Sequence, residues 1–366
     1  MKAIVVLAVA MLTACVSSPP RVTTVSPSPP ASLSAAPSIG PSVTPTPSPS
    51  TTPDVSESPL GLNLSCRLPV TWVENQNNPR ITKTGYVTFP GQTLVEEAAP
   101  TGSMFYDRAF AKWLPVWRNS VSPDGARYAY SKLAGNAYQN TGSSLHVVDV
   151  ATGVDRVIYS GSSAFSVVDF AAEGVYLTTA VPEGYSHGLW LQSVAGGQPR
   201  LISSTIEAPV VGGGAAWGLD FNTADPSPGP GGLEGPKNRI LRYDLRSGTA
   251  TPWFYRPGTS LYVVGFEAHG LPFVTASVGP SSTDPAGLPA TEVWLIRSSV
   301  DATRLISGTY TQLPSRLAAV DSHGVWFDAP YYSASTSTVW LYTGGSIQVV
   351  AVVNRGDVAV AGGCIP

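Results

Sequence analysis

Charge is scarce in this sequence: only 12 % of its 366 residues are charged, with 21 Lys and Arg against 24 Asp and Glu and a net charge of −3. A surface that tracks phosphates needs clustered cations, so nucleic-acid binding is excluded. Cysteine is nearly absent, at three residues, and histidine is limited to four. No Cys-x-x-Cys, His-Glu-x-x-His or Gly-x-Ser-x-Gly pattern occurs, and Gly212-Gly213-Gly214 leads into Ala215-Ala216 without the Lys and Ser or Thr of a phosphate loop. Beyond residue 12 no run is long and apolar enough to cross a bilayer, and beyond residue 62 little has helical periodicity. What abounds is Gly, at 36, and Pro, at 34.

The start of the chain reads as an address. Lys2 precedes an apolar run over residues 3–12, and then come Thr13, Ala14 and Cys15. One positive charge, a short apolar run and small residues describe a secretory signal, too short for a permanent span. Leu12-Thr13-Ala14-Cys15 resembles the bacterial lipobox. The resemblance implies that Cys15 receives a diacylglyceryl group and becomes the new N-terminus, carrying acyl chains such as palmitate. The expected location is then the extracytoplasmic face of a cell membrane.

Residues 16–59 contain 12 Ser, 6 Thr and 12 Pro among 44 positions. Proline removes donors and fixes φ, and too little apolar surface is present to offset the ordering entropy. This stretch is expected to be a disordered linker, with a fully extended reach on the order of 130 Å. The expected organisation is a signal over 1–15, a tether over 16–61 and one domain over 62–366.

That domain reads as all-β. Short runs of Val, Tyr, Trp, Phe and Leu alternate with Gly, Asp and Ser clusters. Five segments repeat an apolar strand, a tight turn and a second strand, with turns at 122–125, 172–174, 212–214, 268–270 and 322–324. Each continues, after a connection of variable length, into a third and a fourth strand. Four strands in about 40–55 residues is the size of a propeller blade. Three strand-like runs remain at the domain start (66–72, 85–89 and 93–97) and one at the end (357–364). Together they would make a shared sixth blade that leaves few exposed edges. Six blades are favoured over seven, because 98–120 is too short for another.

Ser122-Pro123-Asp124-Gly125, with Val148-Asp149-Val150-Ala151-Thr152-Gly153 after it, resembles the strand-turn of TolB-like and WD-repeat-like β-propellers. The match covers one blade well; the others put Glu173, Gly213, His269 or His323 in place of Asp124. The resemblance implies an architecture used as a protein-binding platform and carries no catalytic residues across.

With Cys15 lipidated, Cys66 and Cys364 remain at the two ends of the domain and read as a disulfide across the shared blade. His269 and His323 read as turn residues rather than metal ligands. Six-bladed lactonase-like propellers hold a cation at the central channel, and Asp169, Glu267, Asp321 and Asp357 are the candidates for such a site here. Arg355-Gly356-Asp357 reads as a turn before the last strand. The longest connections, between second and third strands, would gather around one mouth and carry Tyr138, Asn140, Tyr185, His187, Tyr331 and Tyr332. Aromatic and amide groups on loops suit protein or glycan contacts. The expected function is therefore a monomeric, membrane-tethered, non-catalytic binding or scaffolding module without a cofactor or metal; the alternative is a cation-dependent propeller hydrolase or lyase.

Overall fold

The computed structural model describes residues 55–56, 63–75, 81–134, 142–179, 186–220, 238–278, 290–309, 316–328 and 335–366. Among these the sole helical element is the 3-10 turn Arg118–Ser120. The expected all-β class is what the chain adopts. Cys15, Tyr138, Asn140, Tyr185, Tyr331, Tyr332 and most of the 16–61 tether lie outside the described residues.

Val55–Ser56 (β1) comes first, then Cys66–Asn75 (β2), Ile81–Phe89 (β3), Thr93–Glu96 (β4) and the small hairpin Phe105–Asp107 (β5) and Lys112–Leu114 (β6). Arg127–Ala134 (β7), Gly142–Asp149 (β8) and Asp155–Gly161 (β9) form a three-stranded sheet. Phe165–Ala171 (β10), Gly174–Thr179 (β11), His187–Gln192 (β12), Arg200–Gly212 (β13), Ala215–Asp220 (β14), Arg239–Asp244 (β15) and Ala250–Tyr255 (β16) pair in chain order as seven strands. Ser260–Phe266 (β17), Pro272–Val278 (β18), Ala290–Ile296 (β19) and Ala302–Thr309 (β20) form a four-stranded sheet. Arg316–Asp321 (β21), Gly324–Asp328 (β22), Ser337–Thr343 (β23) and Ser346–Val353 (β24) form another, with β1 added beside β24. Ala359–Val360 (β25) joins the N-terminal strands in the order β25-β2-β3-β4.

The strands differ from the sequence reading in three places. No strand precedes the turn at 122–125; the segment contributes only the bridge Val121↔Tyr128, because Pro115 and Pro123 withhold the donors a ladder needs. β13 is one strand of 13 residues, where a fourth and then a first strand were expected. No turn residues interrupt it, and it bends at Ala208, with φ of 47°, just before Pro209. Finally, Val55 and Ser56, inside the presumed tether, pair with Val353 and Val352 on the free edge of β24.

The repeat is visible in its irregularities as well. A register shift falls inside β10 (Val167/Asp169), β17 (Val263/Gly265) and β21 (Leu317/Ala319). A second falls opposite Leu145/His146, Leu189/Trp190, Ile240/Leu241, Val293/Trp294 and Val339/Trp340, where the fourth strand of each repeat carries one extra residue: Ile158, Ile202, Trp253, Leu305 and Val350. An extra residue bends its strand and raises the local twist, so the repeats that share a shift are bent at the same place.

The core lies between successive sheets. Phe273 and Phe327, both fully buried, meet edge to face at 5.0 Å, and Leu145 and Val147 pack with Phe170 and Leu177. Burial of each such side chain stabilises the fold by about 1.5–3 kcal/mol as an upper estimate. Where the turn after β13 meets the turn after β17, a side chain on Gly213 (φ 61°) would lie 2.7 Å from the Gly270 carbonyl oxygen. Only glycine serves there.

The C-terminal segment is held from two sides. On one side Ala361 N–H donates to Pro69 O, Ile365 N–H to Arg67 O and Arg67 N–H to Ile365 O. On the other, side chains of the β21–β24 sheet accept from the amides of Val358 (Ser337 Oγ, 3.0 Å), Val360 (Asp328 Oδ2, 2.8 Å) and Cys364 (Asp321 Oδ2, 2.7 Å). The Cys66–Cys364 disulfide joins this segment to the start of β2 across a sequence separation of 298. β25 is therefore shorter than expected, yet its backbone donors are largely satisfied.

Candidate functional site

A cavity of about 790 Å³ lies where the first strands of the sheets approach one another. Its wall takes Asp169 from β10, Val211 from β13, Gly265 from β17, Ala318 from β21, Val360 from β25 and Arg118 from the 3-10 turn. The β10, β17 and β21 positions lie at the register shifts described above. The wall mixes apolar side chains with polar groups that can orient a ligand.

Those polar groups come from the 3-10 turn, from β10 and from the turn after β17, which brings Glu267 and His269 to the wall. Asn119 Nδ2 donates to Val168 O at 2.6 Å and fixes the turn against β10. Although Arg118 keeps solvent exposure, the protein packed around its guanidinium makes the charge costly and lowers its pKa, while Asp169 favours it. The Asp169 carboxyl is pushed up to about 7: burial is the main cause, Arg118 opposes it and Glu173 adds to it. A carboxyl that changes charge near neutrality beside a guanidinium can donate or accept as the ligand demands.

Linkage gives this a sign. Between about pH 3.9 and pH 7 the unfolded chain releases the Asp169 proton while the native chain keeps it, so the native state loses stability as pH rises through that window. Asp169→Asn removes the dependence. The melting temperature of the variant relative to wild type is expected to rise between pH 4 and pH 7 and then level off; a difference independent of pH would contradict this environment for Asp169.

The oxygens of Glu267, which also lines the cavity, and of Asp321 are already taken by local donors. Glu267 Oε1 accepts from His269 N (2.7 Å) and Leu271 N (3.1 Å), and Oε2 lies 2.7 Å from His269 Nδ1. Asp321 Oδ1 accepts from His323 N at 2.8 Å, and Oδ2 from Trp326 Nε1 at 2.8 Å. Both histidines sit in the expected turns, capped by a carboxylate two residues earlier. Asp357 is buried in the turn before β25 with φ of 57°. Among the described residues, no three His, Cys, Asp or Glu side chains are grouped to hold a metal.

Of the six residues expected at a ligand face, His187 alone is described. It opens β12 half-buried, pairs in register with Glu207, and its carbonyl accepts from Thr178 Oγ1 (3.1 Å) and Thr179 Oγ1 (2.9 Å). Phe165 pairs with Thr179 and Ala171 with Gly174, so the second-to-third connection leaves the Phe165 end of the sheet. Asp169 lies toward the opposite, turn end. Arg118 and Asn119 were not singled out from sequence; the available signal was a Trp-Arg-Asn-Ser run where the other repeats have an apolar strand.

No family model and no curated protein sequence matches the chain. Among solved structures it is similar to TolB from Acinetobacter baumannii, with 14 % identity, 81 % of this chain and 67 % of that chain covered, and a TM-score of 0.47. It is also similar to an oligogalacturonate lyase from Vibrio parahaemolyticus, with 11 % identity, 75 % and 73 % covered, and a TM-score of 0.39. Similarity at this level leaves the architecture to be argued from the strands themselves.

Proposed function

We propose that this chain is a lipid-anchored extracytoplasmic binding module. In this reading a six-bladed β-propeller is tethered through Cys15 and residues 16–61, and it takes a protein or glycan ligand at the mouth of the cavity. The sheet order supports six blades: β25-β2-β3-β4, β7-β8-β9, the two halves of the seven-stranded sheet that share β13, β17–β20 and β21–β24. A seventh has only the β5-β6 hairpin to draw on.

The observation that carries the proposal is the convergence of Arg118 and Asp169 in a cavity lined by strands of successive sheets. β10 holds Asp169, and the Asn119–Val168 hydrogen bond fixes the turn that carries Arg118 against it, the preorganisation a recognition site requires. Binding is favoured over cation-dependent hydrolysis or lysis because Glu267 and Asp321 already spend their oxygens on turn and C-terminal donors.

The test uses envelope extracts and a glycan array as the ligand source, with the full chain and its Arg118→Ala and Ala318→Arg variants. Arg118→Ala is expected to melt within a few degrees of wild type, Ala318→Arg, at a buried position, to melt lower while remaining folded at the assay temperature, and both to lose ligand capture by at least about ten-fold, an effect of about 1.4 kcal/mol or more. Capture unchanged in both would retire the cavity as the site and make Tyr138, Asn140, Tyr185, His187, Tyr331 and Tyr332 the next residues to change. Cys15→Ser, in the same host, is expected to abolish membrane retention.

A further inference from the structure

A second constellation stands away from the cavity, on the sheet β7-β8-β9. Ser144 and His146 are two residues apart on β8 and so project to one side of it. Leu145 and Val147 between and beyond them face the core. Ser144 Oγ lies 2.9 Å from His146 Nε2, and His146 Nδ1 lies 3.0 Å from Asp155 Oδ1 at the start of β9. Asp155 takes a further bond from the Tyr130 hydroxyl at 2.7 Å, and the Tyr130 ring stacks on the imidazole at 4.6 Å and 15°. A carboxylate on Nδ1 places the proton there and leaves Nε2 to accept from the serine hydroxyl.

The geometry points to an esterase site in which Ser144 is the nucleophile, His146 the general base and Asp155 the residue that orients the imidazole, acting on small carboxylic esters. Hydroxyl, imidazole and carboxylate in that order of hydrogen bonding is the arrangement that activates serine on unrelated folds. It goes beyond the binding function assigned to the cavity and does not depend on it.

The repeat provides an independent observation. His146 follows the register shift between third and fourth strands, and the same position in the other repeats holds Trp190, Leu241, Trp294 and Trp340. Ser144 corresponds to Gly188, Arg239, Glu292 and Thr338. Four repeats thus put a large apolar side chain where this one has a hydrogen-bonded histidine, so the fold itself does not require a titratable group there. Lys132, directly opposite Ser144 in the ladder and exposed, puts a cation on the face where the oxyanion would form. The imidazole side chain retains 13 % exposure and the Asp155 side chain 42 %, so the face is open to a small substrate.

The step balances with water as the co-reactant. Ser144 Oγ bonds to the ester carbonyl carbon as its proton passes to His146 Nε2. The bond to the leaving alkoxide breaks, and the alkoxide departs with that proton as the alcohol. Water, deprotonated by His146, then releases the acyl group as a carboxylic acid and restores the serine. The charged and titratable groups facing His146 are Tyr128, Tyr130 and Lys132 from β7 and Asp155 from β9. Burial works against the Asp155 charge, but the bonds from Tyr130 and His146 outweigh it and hold the carboxyl below its ordinary value.

The test treats the full chain with a fluorophosphonate, in which the Ser144 oxygen–phosphorus bond forms as fluoride leaves, and maps the adduct by peptide mass. A single adduct on Ser144 is expected, at a rate that reaches a plateau with pH and does not keep climbing with hydroxide. His146→Gln is expected to slow labelling on the order of 100-fold at unchanged melting temperature, and Asp155→Asn to slow it by at least about ten-fold. p-Nitrophenyl acetate turnover should fall in parallel. No adduct on Ser144 in the wild-type chain, or labelling that climbs with hydroxide and shows no plateau, would overturn the assignment. The wild-type pH profile decides the matter even if His146→Gln fails to fold.

Discussion

Replacing Cys364 with Ser is expected to lower the melting temperature of the domain on the order of 10 °C while leaving its strands in place. The bond closes a loop with a sequence separation of 298. The chain-entropy estimate for such a loop is about 5–6 kcal/mol, with the mechanism model-dependent. At the entropy of unfolding of a domain of this size, each kcal/mol moves the midpoint by roughly 2 °C. Native secondary structure is expected to persist because the C-terminal segment keeps its hydrogen bonds to Pro69 and Arg67 and to three side chains of the neighbouring sheet. Thermal melts with and without reductant, followed by far-ultraviolet circular dichroism, measure both effects. A melting temperature indifferent to reduction would contradict the staple.

Asp321→Ala is expected to be comparably damaging, at about 3–5 kcal/mol. The Asp321 side chain is 1 % exposed. Its two oxygens satisfy His323 N, Trp326 Nε1 and Cys364 N, so alanine leaves three donors without an acceptor beside a fully buried indole. Asp321→Asn retains one accepting oxygen and is expected to cost about half as much. The Cys364 amide and the Cys364 sulfur belong to the same anchored segment. Combining Asp321→Ala with Cys364→Ser is therefore expected to cost less than the sum, by about 1 kcal/mol. Denaturant melts of the four proteins give this coupling; strict additivity would place the two anchors in independent parts of the fold.

Much of this fold was legible in the residues. Gly at tight turns and alternating apolar strands fixed the second, third and fourth strands of each repeat, because turn conformations and period-two burial are local properties. The pairing of Cys66 with Cys364, and of an end strand with the domain's first strands, was legible because an unpaired sheet edge and two lone cysteines at opposite ends of the domain share one solution. Continuity through β13 was not legible, since only tertiary pairing on both of its sides distinguishes one long strand from two. The cavity was half legible. Asp169 could be flagged as a carboxylate in an inner strand, but its register shift and the proximity of Arg118, from 51 residues earlier, depend on packing between sheets. The Ser144–His146–Asp155 constellation escaped for a related reason: it needs a turn of known length to bring Asp155 back beside β8, in the register that pairs Val148 with Asp155 and His146 with Val157.

Amide hydrogen exchange over residues 357–366 tests the closure most directly, measured in a Cys66→Ser, Cys364→Ser protein so that the disulfide cannot hold the segment in place. The amides of Val358, Val360, Ala361, residue 364 and Ile365 all donate to acceptors on one of two neighbouring sheets. They are expected to exchange only slightly faster than the slowest amides of β2 and β3, through openings that approach global unfolding. Exchange of this segment at the rate of an unstructured peptide, while β2 and β3 stay protected, would contradict a ring closed by the C-terminal strand.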